Sequence, residues 1–442
     1  MLDIRFIVDN VDLVRKAIAD KHAANEHTDL EKFVQLDQQR RQIQTEADRL
    51  AAERNRISKQ VGHLMGRRPQ ESPGAEDKFA AQVAEAHARS KGLRARLEEL
   101  EALGRQVEAQ LDEMRSWIPN LPGAGVPEGA DGSANVVLHE HGRQARFDFP
   151  PLPHYELGVK LGILDCARGG KTSGSGWYFL RGDGSRLERA LISWFLDRHR
   201  ARGYTELFPP FCVTEKALFG SGQIPKLRDE MYAMPRDGLF AIPTAEVPVT
   251  NYHADEILDE EDLPIRYCAY SACFRREAGA AGAETRGILR VHQFNKVEIL
   301  KLTTPETSYA ELEKLTRDAE ELLEGLGLRY RRVVLCRGDL GFHAAKTYDL
   351  EAWAPAAGKW LEVSSCSNFT DYQARRANIR YRPAAGGKPR FVHTLNGSGL
   401  ALPRLQVALW ETFQQPDGSV LIPEVLRRYM DGQERIVPAA GT

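Results

Sequence analysis

Apolar residues return every seven positions at Leu36, Ile43, Leu50, Ile57 and Leu64, with Phe33, Ala47 and Val61 on companion positions. A second series runs through Phe79, Ala86, Leu93, Leu100, Val107 and Met114, accompanied by Val83, Leu97, Leu111 and Ile118. A seven-residue repeat keeps one stripe of a helix apolar, so each series predicts a long helix with a single seam. Between them, Gly66-Arg67-Arg68-Pro69-Gln70-Glu71-Ser72-Pro73-Gly74 is rich in turn formers. Together they read as an antiparallel coiled-coil hairpin over residues 30–117, within an N-terminal helical arm of residues 1–118. Arg40 and Arg54 fall on companion seam positions, where long stems cover the seam while the charged heads stay wet.

After Ile118-Pro119-Asn120-Leu121-Pro122 the rhythm changes. Residues 119–170 read as a linker, rich in proline and glycine, and the start of a second body that residues 171–442 complete. Helical spacing of Leu187, Leu191, Ile192, Phe195 and Leu196 predicts an amphipathic helix from Arg186 to about Gly203, followed by a strand that Pro209 and Pro210 stop. Asp349 to Trp353 and Lys359 to Asn368 read as strands, and Leu405 to Phe413 as a helix. Gly169-Gly170-Lys171-Thr172 is not a phosphate-binding loop, because Asp165 stands where the first glycine would be needed.

The chemistry concentrates in Phe274-Arg275-Arg276-Glu277-Ala278-Gly279-Ala280-Ala281-Gly282 and Arg290-Val291-His292-Gln293-Phe294-Asn295-Lys296-Val297-Glu298. Alternating apolar and charged positions around a small-residue centre predict a strand, a loop and a returning strand. Arg275 and Glu277 would share one face, as would Arg290, Phe294 and Glu298. Guanidinium groups grip phosphate, a ring stacks on a base and a carboxylate holds an ammonium, so the set suits a nucleoside triphosphate beside an amine. The same alternation also suits a solvated hairpin with cross-strand ion pairs.

These two segments resemble motif 2 of the class II aminoacyl-tRNA synthetases, in the form found in seryl-tRNA synthetases. The helix and strand before Pro210 resemble motif 1, and His393-Thr394-Leu395-Asn396-Gly397-Ser398-Gly399-Leu400-Ala401-Leu402-Pro403-Arg404 resembles motif 3. Pro243-Thr244-Ala245-Glu246 is similar to the family's serine-recognition loop, and Glu362-Val363-Ser364-Ser365 to its metal and ATP strand. The resemblance covers nearly the whole chain and implies an α+β fold: an antiparallel sheet flanked by helices, behind an arm that reaches the long variable arm of tRNA. It implies a homodimer that activates L-serine with ATP and passes it to the 3′ end of tRNA(Ser), and also of tRNA(Sec). ATP contacts are implied for Arg275, Arg276, Glu277, Arg290, Val291, Phe294, Glu362, Val363, Ser364, Ser365 and Arg404, and serine contacts for Thr244, Ala245, Glu246, Glu298 and Ser398. Arg275, Arg404 and Glu362 would be catalytic, with Mg²⁺ on Glu362 and Ser365. Glu246 and Glu298 would equally suit structural ion pairs, and Phe294 a core position. Arg276, Pro403 and Arg428 depart from the family pattern, and Pro403 bears on how motif 3 enters its helix.

Composition narrows the setting. The formal net charge is −2 over 442 residues, so contact with nucleic acid needs a local patch. Residues 40–96 supply one, with thirteen lysines and arginines against seven acidic residues. Six cysteines without CxxC spacing suit reduced packing thiols. The first residues lack the pattern of a signal peptide and no stretch has the length of a membrane span, so a cytoplasmic protein is expected. A synthetase-like enzyme that loads a carrier protein would lack the arm, and a catalytically dead RNA-binding regulator would have lost Arg275, Glu298, Glu362 or Arg404.

Overall fold

A computed structural model describes residues 1–66, 75–277 and 286–438. The turn expected at Arg67 to Gly74 and the small-residue stretch Ala278 to Gly282 lie outside the described residues. The chain divides into two compact units: Leu2–Ala19 with Ala23–Ile118, and Pro119–Thr442 with Met1 and Asp20–His22.

In the first unit, helices α1 (Leu30–Met65) and α2 (Ala75–Ser116) pair along their length. Asp29 caps α1 by accepting a hydrogen bond from the Lys32 amide. Leu36, Ile43, Leu50 and Ile57 are buried against Leu97, Leu100, Val107, Leu111 and Met114. Val61, Leu64, Phe79, Val83 and Leu93 are only half-buried, as a seam formed by two helices alone allows among the described residues. Arg96 to Glu46 (3.2 Å) and Arg89 to Glu53 (2.5 Å) tie the limbs across the seam. Arg40 and Arg54 are half-buried on the seam; Arg40 is fixed by the buried Asp37 at 2.7 Å.

The second unit is built on an eight-stranded sheet. Its strands are β1 (Val136–His141), β2 (Thr205–Leu207), β3 (Ile265–Phe274), β4 (Gln293–Thr303), β5 (Tyr330–Val334), β6 (Lys346–Ala354), β7 (Lys359–Asn368) and β8 (His393–Ala401). Their spatial order is β1-β5-β6-β7-β8-β4-β3-β2, antiparallel throughout except for the short β2, which runs parallel to β3 at the edge. Helices α3 (Asp183–Arg200), α4 (Ser308–Gly325) and α5 (Leu402–Phe413) pack on the sheet. Alternation sends Val297 and Ile299 of β4 and Leu361 and Val363 of β7 into the core shared with these helices. Lys296, Glu298 and Glu362 alternate with those core residues and line a cavity instead.

Around the cavity, expected boundaries move at three places. Helix α5 begins at Leu402, so Arg404 lies in its first turn, and Pro403 stands where a missing amide hydrogen costs nothing. Strand β3 ends at Phe274: the Arg275 amide turns to the His292 carbonyl and the Arg276 amide to that of Glu230, while Glu277 has φ 49°. Arg290 precedes β4, which starts at Gln293, so it shares no strand face with Phe294 and Glu298.

Candidate active site

The middle of the sheet floors a cavity of about 530 Å³ lined by Thr244, Glu246, Arg275, Glu277, Lys296, Glu298, Asp349, Glu362, Ser365 and Ser398, among others. A second, of about 80 Å³, is lined by Arg275, Glu277, Arg290, Val291, Phe294, Lys296, Glu362, Val363, Ser398 and Arg404. Arg275, Glu277, Lys296, Glu362 and Ser398 border both, so the two form one continuous site. Register explains the convergence: Glu298 of β4 lies opposite Ser398 of β8, and Ser365 of β7 opposite Asp349 of β6.

The larger cavity has an acidic end. Helix Glu246–Thr250 begins at Glu246, whose carboxylate accepts from Gln373 (2.6 Å) and Gln223 (3.5 Å). Gln373 is aligned in turn by the Thr394 hydroxyl, which donates to its side-chain oxygen at 2.6 Å. Burial, and then the Glu298 charge, push the Glu246 carboxyl up to about 7. The Thr244 hydroxyl donates to Glu298 at 2.7 Å and accepts from Lys296 at 2.8 Å, and Lys296 pairs with Glu298 at 2.5 Å. Glu298 thus already holds an ammonium group, supplied by the chain itself. Lys296 was missed by sequence reasoning, although a spacing of two on a strand placed it beside Glu298.

At the other end Arg275 lies over the Phe294 ring, 5.1 Å from its centroid, and Arg290 reaches Glu277 at 3.3 Å. Arg404 projects from the first turn of α5 to the Glu362 carboxylate at 3.4 Å. The arrangement offers an aromatic face, guanidinium groups and a carboxylate acceptor around one slot, the equipment for a base and its phosphates.

Asp349 is the second residue the sequence reading passed over, having placed it only on a strand. Its Oδ1 is buried without a hydrogen-bond partner, and burial with the neighbouring Glu362 charge raises its carboxyl well above the usual range. An orphaned carboxylate oxygen beside a second carboxylate and the Ser365 hydroxyl is a donor set that suits a hard divalent cation such as Mg²⁺. Among the described residues no group of three or more His, Cys, Asp or Glu forms a denser site.

Three assigned residues stand apart. Arg276 turns away, its Nη1 donating to the Asp229 carbonyl at 3.1 Å, and it lines neither cavity. The Ser364 hydroxyl donates to the Ser398 carbonyl at 2.6 Å on the buried side of β7, because alternation points it away from Ser365. Ala245 is buried in an apolar cluster with Val249, Tyr267 and Leu300 and lines neither cavity.

Comparison with known proteins matches residues 1–122 to the family model for the seryl-tRNA synthetase N-terminal domain and residues 232–413 to the tRNA synthetase class II core domain of the G, H, P, S and T enzymes. The serine–tRNA ligase of Roseiflexus sp. (strain RS-1) is 50% identical over 436 residues, covering 99% of each chain. The chain belongs to the seryl-tRNA synthetase family. Within that family, the crystal structure of seryl-tRNA synthetase from Pyrococcus horikoshii complexed with ATP superposes with a TM-score of 0.88 at 39% identity, covering 99% of this chain and 100% of that one. The M. kandleri seryl-tRNA synthetase solved with A. aeolicus tRNA(Sec) shares the fold at 20% identity, with a TM-score of 0.58 over 80% of this chain and 71% of that one. The family expectation, the α+β fold with its antiparallel sheet and the paired helices of the arm are thereby borne out.

Proposed function

We propose that this chain joins L-serine to tRNA in two steps within the paired cavities. One observation carries the reading: an acidic pocket suited to an amino acid and a ring-and-guanidinium slot suited to a nucleotide share a single floor. Serine lies in the larger cavity, its ammonium on Glu298 and its hydroxyl on Glu246, helped by Thr244 and Ser398. ATP fills the slot, with adenine stacked on Phe294 and its amino group on Glu277. Arg275 holds the α-phosphate, and Arg404 with Arg290 the outer phosphates.

In the first step a serine carboxylate oxygen attacks the α-phosphorus, the new P–O bond forms, and the bond to the β-phosphate oxygen breaks to release pyrophosphate. Both reactants are anions, so the work is charge neutralisation and in-line alignment, which fixed guanidinium groups supply without rearrangement. Glu362 and Ser365, with Asp349 close by, would hold a Mg²⁺ ion, which would supply neutralisation of phosphate charge. In the second step a 3′-terminal ribose hydroxyl attacks the activated carbonyl; its proton passes to the adenylate phosphate as AMP leaves. Lys296 has to yield Glu298 to the incoming ammonium, and its own charge then lies beside the serine carboxylate and the α-phosphate.

Residues 40–96, with their cationic surplus, bind tRNA(Ser) mainly through phosphate and sugar, and the same contacts serve tRNA(Sec). Edge strand β2 and the exposed Phe208 beside it suit the face through which a homodimer forms. No helix among the described residues is long and apolar enough to cross a membrane. The test is pyrophosphate exchange with each amino acid in turn. Exchange that requires serine and ignores glycine and alanine is expected; exchange driven by another amino acid instead defeats the proposal.

A further inference from the structure

One wall of the larger cavity is a short segment that sequence reasoning left without a role. Gly341, His343 and Ala344 all face the cavity. The segment is held almost atom by atom. Lys21 donates to the carbonyls of Gly341 (2.9 Å), Phe342 (3.3 Å) and Ala344 (2.6 Å). Asn120 donates through its amide to the Phe342 carbonyl at 3.0 Å and through its side chain to the His343 carbonyl, also at 3.0 Å. Four successive carbonyls thus have donors, and the backbone has one position.

The His343 ring is fixed as firmly. It stacks on Phe369 with centroids 4.8 Å apart and planes 16° from parallel. On another side Gly222 leaves it room: a Cβ there would come 3.3 Å from that of His343, at a backbone φ of +83°. So placed, Nε2 lies 3.8 Å from Glu246 Oε1, while Nδ1 is buried with no hydrogen-bond partner. Burial, then the charges of Lys21 and Arg376, push the imidazole down to about 3, so the ring is neutral and carries one N–H. An orphaned lone pair is cheaper than an orphaned N–H, which puts the proton on Nε2, facing the cavity. The gap to Glu246 is too long for a direct hydrogen bond and suits a small group that can touch both.

We propose that His343 is a specificity-determining residue of the amino-acid pocket, its Nε2–H donating to the serine hydroxyl while that hydroxyl donates to Glu246. The inference rests on the serine reading and extends it. A hydroxyl held from both sides is recognised as donor and acceptor at once, so alanine leaves two buried groups unmet where a lone Glu246 would leave one.

The experiment compares serine-dependent pyrophosphate exchange in the unaltered chain, in His343→Gln, whose amide can reach the Nε2 position, and in His343→Leu, which fills the space without a polar atom. His343→Leu should raise KM for serine about tenfold and narrow the preference over alanine by a similar factor. Its KM for ATP should not move, because His343 does not line the second cavity. His343→Gln should stay within about threefold of the parent on every measure. An unchanged serine KM in His343→Leu, or equal losses in both variants, overturns the inference, the latter marking the ring as packing alone. Should His343→Leu also lose ATP, His343→Met provides the same comparison. If the unaltered chain shows no exchange with serine, it is the underlying reading that fails.

Discussion

In the proposed reading selectivity turns on Glu246, and its environment sets a pH dependence. Its carboxyl sits at about 7 in the free site because it is buried and faces Glu298. A carboxyl raised in this way is protonated as pH falls through 7 and loses the anionic acceptor that a hydroxyl donates to. The kcat/KM for serine should therefore fall as pH is lowered through about 7, and kcat/KM for ATP should not follow that curve. Glu246→Gln should remove this limb and cost on the order of a hundredfold in kcat/KM for serine, while KM for ATP stays within about threefold. Steady-state exchange kinetics from pH 5.5 to 8.5, a range of about three units, check both.

At the scale of elements, the site depends on how α5 is seated. Glu411, in the last turn of that helix, is fully buried. It accepts from the His154 amide at 3.1 Å and from the Ala356 and Ala357 amides at 3.0 Å each. One side chain thus ties the segment entering helix His154–Lys160 and the turn between β6 and β7 to α5, the helix that carries Arg404. Glu411→Ala leaves the buried His154 amide and the part-buried Ala356 and Ala357 amides without their acceptor and should destabilise the unit by about 2 kcal/mol, seen as a lower midpoint in urea. Arg404 loses its backing with it, so KM for ATP should rise before the protein unfolds.

What could be read from sequence follows the same division. The hairpin was legible because a heptad is a statement about every seventh residue, and the buried positions from Leu36 to Ile57 and from Leu100 to Met114 obey it. Strand residues were legible where alternation holds, as at Glu298 and Glu362. It failed where the chain leaves the ladder: Arg290 lies before β4 begins at Gln293, so a parity argument could not place it with Phe294 and Glu298. Partners supplied from afar were invisible for another reason. Gln373 meets Glu246 across 127 positions and Lys21 meets Ala344 across 323, and no local pattern encodes either pairing.

For the molecule as a whole, charge is spread unevenly over a chain that is nearly neutral. The surplus within residues 40–96 predicts tRNA affinity that weakens steeply with salt. Deleting residues 30–117 should spare serine-dependent exchange and abolish aminoacylation of tRNA(Ser), and full aminoacylation by the shortened chain would refute the role given to the arm. Adenylate chemistry and RNA capture would then be separable properties of one polypeptide.

The common floor has a further consequence. Since the same five side chains border both halves of the site, a compound that welds an amino acid mimic to a nucleoside through one stable linkage would give up its freedom of movement once, not twice. Such a tethered ligand should hold on far more tightly than either fragment, by a factor resembling an effective molarity more than a sum of contacts.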